Sequence, residues 1–397
     1  MKKLRIGVVG LGDISRVYLN NLKKYSDLVT IDACASRSLE KAQKKAAEFG
    51  IPHAYACAED LIEQADVDLI LNLTTPDAHY RLNKLALTCG KHVYTEKPLA
   101  FTYAEGKELV DLAQSKHLRI GCAPDTFLGA RLQTCRDILD SGKIGEVIGA
   151  SAFVIYHGCE TFHPNPAFYY HTGAGPLMDI GPYYVTALLS LLGPVQACCA
   201  MSKRTFDQRP IATEPHRGEM IDVEVDTYTT GLMQFASGAI GTAIFSFDVW
   251  DSNLPRIEIY GTKGTLCLPD IDPLDGPNIF GGDIWLRTEE NYRWYSQPRD
   301  WFDVKKDWEH VPLTRPFAST SHSENSRGIG LIDMVLALAE NRPERASGRM
   351  ALHSLEMMEK MLSGAKTQQF GILETTFDRP EPLPADFPVP ISKAKYL

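Results

Sequence analysis

Lys97 stands between Glu96 and Pro98, directly after the β-favouring residues 92–95 and before a helical pattern over 103–116. The end of a strand in an open α/β sheet is where such folds bind ligands. A lysine there can act as a general acid or base toward a substrate hydroxyl if its surroundings lower its pKa. The same three residues also fit a surface ion pair followed by a helix-starting proline, and alone they do not separate the two interpretations.

A glycine-rich turn near the start of the chain points to the ligand. Residues 4–10 form a short apolar run, and Gly10-Leu11-Gly12-Asp13-Ile14-Ser15 follows before a helical pattern. Gly10 permits a tight turn, Gly12 lets the backbone approach a pyrophosphate, and the helix that starts near Asp13 and Ile14 offers free N–H groups to it. A second strand, over 28–35, arrives at the expected separation. These features predict dinucleotide binding rather than a purely structural turn.

The end of the second strand bears on the choice between NAD and NADP. An NAD site usually has a carboxylate at this place, whereas this chain has Ser36, followed by Arg37. Arg37 can pair with a 2′-phosphate, so NADP is slightly favoured, although Arg37 also fits a solvated loop. Asp32 is a possible substitute carboxylate, but it falls inside the strand.

Further cofactor contacts are expected where later strands end. Residues 68–73 predict a buried parallel strand, which a helix follows, and an oxidised nicotinamide is a cation that could lower the pKa of Lys97. His79, in the first turn of that helix, is expected to pack or cap rather than to catalyse. The predicted cofactor-binding residues at these strand ends are Thr74, Thr75, Pro76, His79, Glu96 and Lys97, with Glu96 near the nicotinamide ribose.

The motifs together resemble one enzyme family. Gly10-x-Gly12, Thr75-Pro76-x-x-His79 and Glu96-Lys97-Pro98 at these separations look like the glucose-fructose oxidoreductase, inositol dehydrogenase and rhizopine-catabolism (Gfo/Idh/MocA) family. The resemblance implies an NAD(P)-dependent oxidoreductase with an N-terminal Rossmann domain, a doubly wound parallel sheet, followed by an open-faced sheet domain. It also implies that Lys97 is catalytic.

The sequence changes character after residue 125. Alternating stretches such as 225–230 and 240–247 replace the buried runs and predict a largely antiparallel sheet. Helices near 178–192, 327–340 and 350–364 can cover one face. The other face has no evident cover, which predicts a homo-oligomer, a dimer or tetramer, assembled through it. We expect a nucleotide-binding domain over 1–125 and a substrate and oligomerisation domain over 126–397.

Asp179 and Tyr183 form a second group with chemical potential. Their spacing of four places them on one face if the segment is helical, so carboxylate and phenol could meet one hydroxyl. In the family the stretch resembles G-G-G-x-x-x-D-x-G-x-H, whose Asp and His complete the site with the lysine. Tyrosine stands here where histidine is commoner, which leaves open whether Lys97 or Tyr183 is the immediate acid/base. Asp179 also fits a helix N-cap, and Tyr183 a half-buried core aromatic.

Substrate contacts are expected from polar and aromatic residues in the second half of the chain. Aromatic rings with hydrogen-bonding tips suit a sugar or cyclitol. The candidates are Tyr156, His157, Asn165, Tyr170 and Arg327. The histidines of this region are spaced too irregularly to indicate a metal site.

Composition limits the remaining possibilities. The 41 Lys and Arg against 50 Asp and Glu give a net charge of -9, which disfavours nucleic acid as a partner. The nine cysteines lack C-x-x-C pairing, and neither a leader peptide nor an apolar run of about 18 residues is evident, so we expect a cytoplasmic protein without membrane partners. Residues 269–316, rich in Pro, Gly and Trp, predict a surface excursion, and the tail from residue 379 an extended arm.

The leading hypothesis is hydride transfer between NAD(P) and a secondary hydroxyl of a sugar, glycoside or cyclitol, a small-molecule substrate. A second hypothesis is NAD-dependent glycoside cleavage by oxidation, elimination, addition and reduction, with His157 as the extra base. A third is a dinucleotide-sensing regulatory protein without turnover, against which the intact Glu96-Lys97-Pro98 and Asp179 argue.

Overall fold

The computed structural model describes residues 3–269, 279–290, 308–319 and 327–388. Contacts divide the chain into two compact units. The described part of the first unit is 3–129, 327–355 and 383–388, and that of the second unit is 130–269, 279–290, 308–319 and 356–382. Residues 327–355 therefore group with the N-terminal part of the chain. As domain limits, 1–125 and 126–397 stay a prediction.

The helices and strands are numbered in chain order. The strands are β1 Leu4–Val9, β2 Val29–Ala35, β3 His53–Tyr55, β4 Leu69–Asn72, β5 His92–Thr95, β6 Ile120–Cys122, β7 Val147–Ile155, β8 Val195–Lys203, β9 Gln208–Pro210, β10 Met220–Asp222, β11 Tyr228–Phe235, β12 Ile240–Ser246, β13 Ile257–Gly261, β14 Gly264–Leu268, β15 Ile284–Thr288, β16 Glu309–Val311 and β17 Gly371–Ile372. The α-helices are α1 Asp13–Lys23, α2 Leu39–Phe49, α3 Ala58–Gln64, α4 Pro76–Thr88, α5 Tyr103–Ser115, α6 Ala130–Asp140, α7 Pro176–Asp179, α8 Gly181–Leu192, α9 Ile329–Glu340 and α10 Gly348–Thr367.

A six-stranded parallel sheet forms the centre of the first unit. Its order is β3-β2-β1-β4-β5-β6, which is the order of a doubly wound dinucleotide-binding fold. All four residues of β4 are buried, as a central parallel strand requires. The predicted Rossmann sheet is confirmed, and its β1/β4 switch point lies beside the glycine turn.

A nine-stranded sheet forms the centre of the second unit, in the order β16-β15-β14-β13-β7-β12-β11-β8-β17. Its β7 and β12 pair in parallel, and the other neighbouring strands pair antiparallel. The alternation in β11 is clear, since Met233 and Phe235 are buried whereas Leu232 is 46% exposed. The predicted, mainly antiparallel sheet is confirmed.

Helices cover one face of this second sheet. α8 contacts β7, and α7 contacts β11 and β12. A Cβ on Gly231 of β11 would meet the side chain of Met361, in the second half of α10, at 3.1 Å. The opposite face presents large apolar side chains to solvent: Met201, Leu232 and Ile240.

The helix expected near 327–340 does not belong to the second unit. It is α9, which contacts β6 of the first sheet. The physical reason is a cap from the strand exit: the buried carboxylate of Asp125 accepts hydrogen bonds of 2.9 Å from the N–H groups of Gly328 and Gly330. The expectation that this helix covers the second sheet was therefore wrong.

The excursion and the tail are described in part. Within 269–316, β15 and β16 extend the second sheet, whereas 270–278 and 291–307 lie outside the described residues, as does the tail beyond residue 388. The start of the tail is held by two arginines: Arg136 donates to the carbonyl of Pro380, and Arg379 to that of Leu191. Among the described helices, none combines the length and apolar character that crossing a bilayer would need.

Candidate active-site groups in the two units

The glycine turn of the first unit requires glycine at Gly10 for a different reason than at Gly12. Gly10 has a φ of +88°, and a Cβ there would lie 2.5 Å from the main-chain carbon of Leu73. Gly12 is the N-cap residue of α1, and a Cβ on it would meet nothing of the chain within 4 Å. The space in front of Gly12 and the N–H groups at the start of α1 therefore fit the pyrophosphate of a dinucleotide.

Residues 13–15, at the start of α1, follow the glycine turn directly. Ser15 is fully buried, and its hydroxyl donates to the carbonyl of Gly12 at 2.6 Å, which fixes the first turn of α1. Asp13 is exposed and Ile14 is half-buried. A small side chain in the third place of the motif thus packs helix against strand, while the two residues before it face outward.

Ser36 stands at the end of β2, where an NAD site usually has a carboxylate side chain. Ser36 is half-buried, and its main-chain N–H donates to the carbonyl of Tyr55 at 3.4 Å. Arg37 is exposed, and Ser38 caps α2. Asp32 lies within β2. Arg37 is thus positioned on the surface beside the end of β2.

The end of β4 is organised by buried amides. Asn72 accepts hydrogen bonds from the N–H and hydroxyl of Thr74, at 3.1 and 2.6 Å, and donates to Asn83 at 2.8 Å. Thr75 is exposed as the N-cap residue of α4, and Pro76 is its first residue. These hydrogen bonds fix the loop between β4 and α4, and Thr75 at the end of that loop is exposed.

His79 connects the ends of β4 and β5. The ring is fully buried, with Nδ1 2.7 Å from the carbonyl of Pro98 and Nε2 2.9 Å from that of Thr74. Burial lowers the pKa of His79, and the two carbonyl contacts oppose this more weakly. The neutral ring donates to one of these two carbonyls at a time, and direct cofactor binding by His79 stays a prediction.

Glu96 lies in a buried network directly before Lys97. The Tyr18 hydroxyl donates to Oε1 of Glu96 at 2.8 Å, and Nε of Arg327 lies 3.6 Å from the same oxygen. Oε2 accepts the main-chain N–H of Lys97 at 3.1 Å. Lys97 itself is half-buried, whereas the side chains of Tyr18, Glu96 and Arg327 are each no more than about 11% exposed. The carboxylate is therefore fixed, and it fixes the backbone that carries Lys97.

Arg327 takes part in the Glu96 network, and its role as a substrate contact stays a prediction. The residue belongs to the first unit, and its carbonyl accepts a hydrogen bond of 2.8 Å from Asn21 of α1. Its charge also lowers the pKa of Asp125, although burial raises that pKa more. Sequence reasoning missed Tyr18 and Asp125, because neither belongs to a motif. The apolar spacing of α1 does indicate that Tyr18 is buried.

The second unit brings Asp179 and Tyr183 close to two tyrosines. Asp179 ends α7 and Tyr183 lies in the first turn of α8, and both are half-buried. Burial, and then the charge of Asp179, raise the pKa of Tyr169, to which Tyr183 also contributes. The N-cap residue of α8 is Ile180, without a side-chain cap, so Asp179 does not serve as the cap of that helix.

Tyr156 lies at the same group. Its hydroxyl is 3.4 Å from Sγ of Cys159, and its ring lies 5.3 Å from that of Phe247. Burial, with Cys159 and Asp179 as further causes, raises the pKa of Tyr156 well above its ordinary value. Tyr156 therefore remains a neutral phenol, which can donate or accept a hydrogen bond at physiological pH.

A buried ion-pair network lies beneath this aromatic group. Arg209 donates to Glu160 at 2.7 Å and to Asp248 at 2.8 Å, and all three side chains are about 5% exposed or less. Tyr170 is fully buried, and its hydroxyl donates to Glu160. Tyr170 thus supports the fold at this place, and its role as a substrate contact stays a prediction.

Asn165 and His157 are the remaining predicted substrate residues of the second unit. Asn165 is exposed, and its N–H donates to Nδ1 of His163 at 3.0 Å. His157 is half-buried, stacks on Trp250 and buries its Nδ1 atom, for which the described residues offer no hydrogen-bond partner. The described residues hold no group of three or more side chains suited to a metal ion.

Two family models match this chain. One is described as an oxidoreductase family with an NAD-binding Rossmann fold and matches residues 4–123. The other is described as a GFO/IDH/MocA C-terminal domain and matches residues 132–267. The first match contains the whole six-stranded sheet, and the second begins before β7 and ends within β14.

Two individual relatives and one solved structure are also similar to this chain. Trans-1,2-dihydrobenzene-1,2-diol dehydrogenase of Mus musculus is 28% identical over 267 residues, 66% of this chain and 73% of that protein. A dTDP-3,4-didehydro-2,6-dideoxy-alpha-D-glucose 3-reductase of Streptomyces antibioticus is 29% identical over 285 residues, 68% of this chain and 84% of that protein. The structure of levoglucosan dehydrogenase in its apo form superposes with a TM-score of 0.78 at 18% identity, covering 95% of this chain and 100% of that one. At that identity the likeness concerns the fold.

Proposed function

Because the chain belongs to the Gfo/Idh/MocA family of oxidoreductases, we propose that it transfers a hydride between a nicotinamide and a secondary hydroxyl of a sugar, glycoside or cyclitol. The observation that carries this proposal is the position of Lys97, directly after the anchored carboxylate of Glu96 at the carboxyl end of β5. Sheets of this strand order bind their dinucleotide at that edge.

The first unit has the parts that hold a dinucleotide. Gly12 and the start of α1 would receive the pyrophosphate, and the main chain near Thr74 and Thr75 would line the path toward Glu96. When bound, the nicotinamide supplies or accepts the hydride. The absence of a carboxylate at Ser36 and the exposed Arg37 support a modest preference for NADP over NAD.

Lys97 is proposed to carry the proton that accompanies the hydride. As an amine it takes the proton of the substrate hydroxyl during oxidation, and as an ammonium group it returns the proton during reduction. The hydrogen bond between its N–H and Glu96 fixes the backbone from which the side chain projects. Proton transfer needs such fixed geometry, since a displaced base loses contact with its proton.

Asp179 and Tyr183 are proposed as further catalytic residues. The carboxylate can orient a hydroxyl, and the phenol can pass a proton, so Tyr183 is the alternative acid/base to Lys97. The neutral phenols of Tyr156 and Tyr169, on which the charge of Asp179 acts, supply further hydrogen bonds of the kind that sugar hydroxyls accept.

The substrate class has support from relatives. Their names describe a dihydrodiol, a dideoxy sugar nucleotide and an anhydrosugar, all of which carry hydroxyl or keto groups on a six-membered ring. The aromatic side chains around Asp179 fit the C–H faces of such rings.

Exposed apolar side chains and free cysteines support a homo-oligomeric assembly and a cytoplasmic location, respectively. The open face of the second sheet, with Met201 78% and Ile240 49% exposed, supports a homo-oligomer formed through that face. Light scattering of the purified chain tests this, and a monomer at all concentrations would contradict it. The nine cysteines are all free, which supports a reducing, cytoplasmic location.

A substrate screen with a matched pair of lysine variants tests the function. Sugars, cyclitols and glycosides are offered with NAD and NADP separately, and absorbance at the nicotinamide band reports hydride transfer. Lys97→Met should lower kcat by at least about 100-fold while retaining dinucleotide binding. Lys107→Met removes an exposed lysine that pairs with Asp111 and should leave turnover unchanged. Turnover by Lys97→Met at half the unaltered rate or more would overturn the assignment.

A further inference from the structure

Trp250 is the most exposed of the large hydrophobic side chains in the described part of the chain, at 82%. Its ring stacks on that of His157, with the centroids 3.6 Å apart and the planes 10° from parallel. The stack covers one face of the indole and leaves the rest of it in contact with solvent. A largely exposed indole whose orientation is supported by a ring stack offers a flat apolar face to which a ligand ring can bind. We call His157 and Trp250 the aromatic platform.

The platform lies next in the chain to residues of the group around Asp179. His157 directly follows Tyr156, whose hydroxyl lies against Cys159 and whose ring lies 5.3 Å from that of Phe247. Phe247 and Trp250 belong to the same segment after β12. The ring centroids of Phe247 and Tyr169 are 6.5 Å apart. The rings beside Asp179 and the exposed indole are therefore carried by the same two segments of the second unit.

The charges near the platform restrict what can bind to it. The segments 156–171 and 247–255, which carry these rings, contain no lysine or arginine and have three carboxylates. Glu160 and Asp248 are neutralised by Arg209, whereas Asp251 is exposed beside Trp250. A phosphate or pyrophosphate would find no lysine or arginine within these segments and would be repelled by Asp251. The platform suits an uncharged ligand.

From these observations we infer that Trp250 is a specificity-determining residue, against which an uncharged sugar ring of the substrate stacks through its C–H face. The inference rests on the proposed function and narrows it, because it assigns the enzyme to neutral sugars and glycosides rather than to sugar nucleotides. An aromatic contact of this kind acts on binding and leaves the proton-transferring groups untouched.

The first test compares Trp250→Ala with Trp250→Phe on the best neutral substrate. Trp250→Ala should raise KM about 3- to 10-fold with kcat within about twofold, and Trp250→Phe, which keeps an aromatic face, should recover most of the loss. Phe370→Ala removes another exposed aromatic ring, 70% exposed, and should leave KM unchanged. An unchanged KM in Trp250→Ala would overturn the inference.

A binding experiment separates this inference from the proposed function. Calorimetry of the full-length chain with saturating NADP uses methyl β-glucoside, cellobiose and dTDP-glucose as probes, in the unaltered protein and in Trp250→Ala. Weaker binding of a neutral probe by Trp250→Ala supports the platform even if no hydride transfer is detected. Tighter binding of dTDP-glucose than of both neutral probes would overturn it. So would a change of oligomeric mass in Trp250→Ala with unchanged sugar binding, which would make the indole an interface residue.

Discussion

The hydroxyl of Tyr18 donates a hydrogen bond of 2.8 Å to the carboxylate of Glu96, although α1 and β5 are far apart in the chain. Tyr18 is fully buried and Glu96 is 9% exposed. Burial, and then the charge of Glu96, raise the pKa of Tyr18 well above its ordinary value, so the phenol is the donor at every physiological pH. The helix that begins the dinucleotide site thereby also positions the strand end that carries Lys97.

Tyr18→Phe should therefore weaken both stability and catalysis. A buried hydrogen bond to a charged acceptor contributes about 1.5–3 kcal/mol to stability, and its loss leaves Glu96 free to move Lys97. We expect a lower free energy of unfolding in urea and a fall in kcat that exceeds any rise in KM for the sugar. Tyr80→Phe is the matched control, because it removes an exposed hydrogen bond from tyrosine to Glu108. Equal effects of the two variants would argue against a positioning role for Tyr18.

The two glycines of the first turn should respond differently to alanine. In Gly10→Ala the new Cβ meets the backbone of Leu73, and φ is +88°, so the variant should lose several kcal/mol of stability, about 2–4. In Gly12→Ala the Cβ meets nothing of the chain within 4 Å, so Tm should change little while dinucleotide affinity falls about 10-fold or more. Thermal unfolding and fluorescence titration with NADPH measure the two quantities. Unchanged affinity in Gly12→Ala would contradict the pyrophosphate site.

The parallel sheet of the first unit could be predicted from the sequence because the signals of its elements are local. The glycine turn, the apolar run of β4 and the position of Lys97 after β5 each lie within a few residues. The network around Glu96 could not be predicted, since Tyr18 and Arg327 reach it from distant segments whose own patterns indicate only burial or a loop. Helix α9 was assigned to the wrong sheet for the same reason, because its cap by Asp125 is a long-range contact.

His79 should make the stability of the protein depend on pH. Burial lowers its pKa in the folded state, so between that lowered value and about 6.5 the unfolded chain binds a proton that the folded chain does not. Its contribution to stability is therefore present above about pH 6.5 and is lost as the pH falls below it. Urea unfolding at pH 7.5 and pH 5.5 should show a smaller loss in His79→Gln than in the unaltered protein. His216→Gln, at an exposed site, is the control, and equal pH dependence in all three proteins would contradict the assignment.

Arg209→Met should destabilise the second unit strongly. The substitution leaves Glu160 and Asp248 buried without their cation, and such a loss typically costs about 3–5 kcal/mol. Arg204→Met removes an exposed arginine that pairs with Asp207, which should cost no more than about 1 kcal/mol. Because Tyr170 also depends on Glu160, the rings beside it should lose their order, and KM for the sugar should rise in Arg209→Met under conditions where the variant is still folded. Urea unfolding and sugar kinetics of the two variants check this, and equal stability of both would show that the buried carboxylates are neutralised by another route.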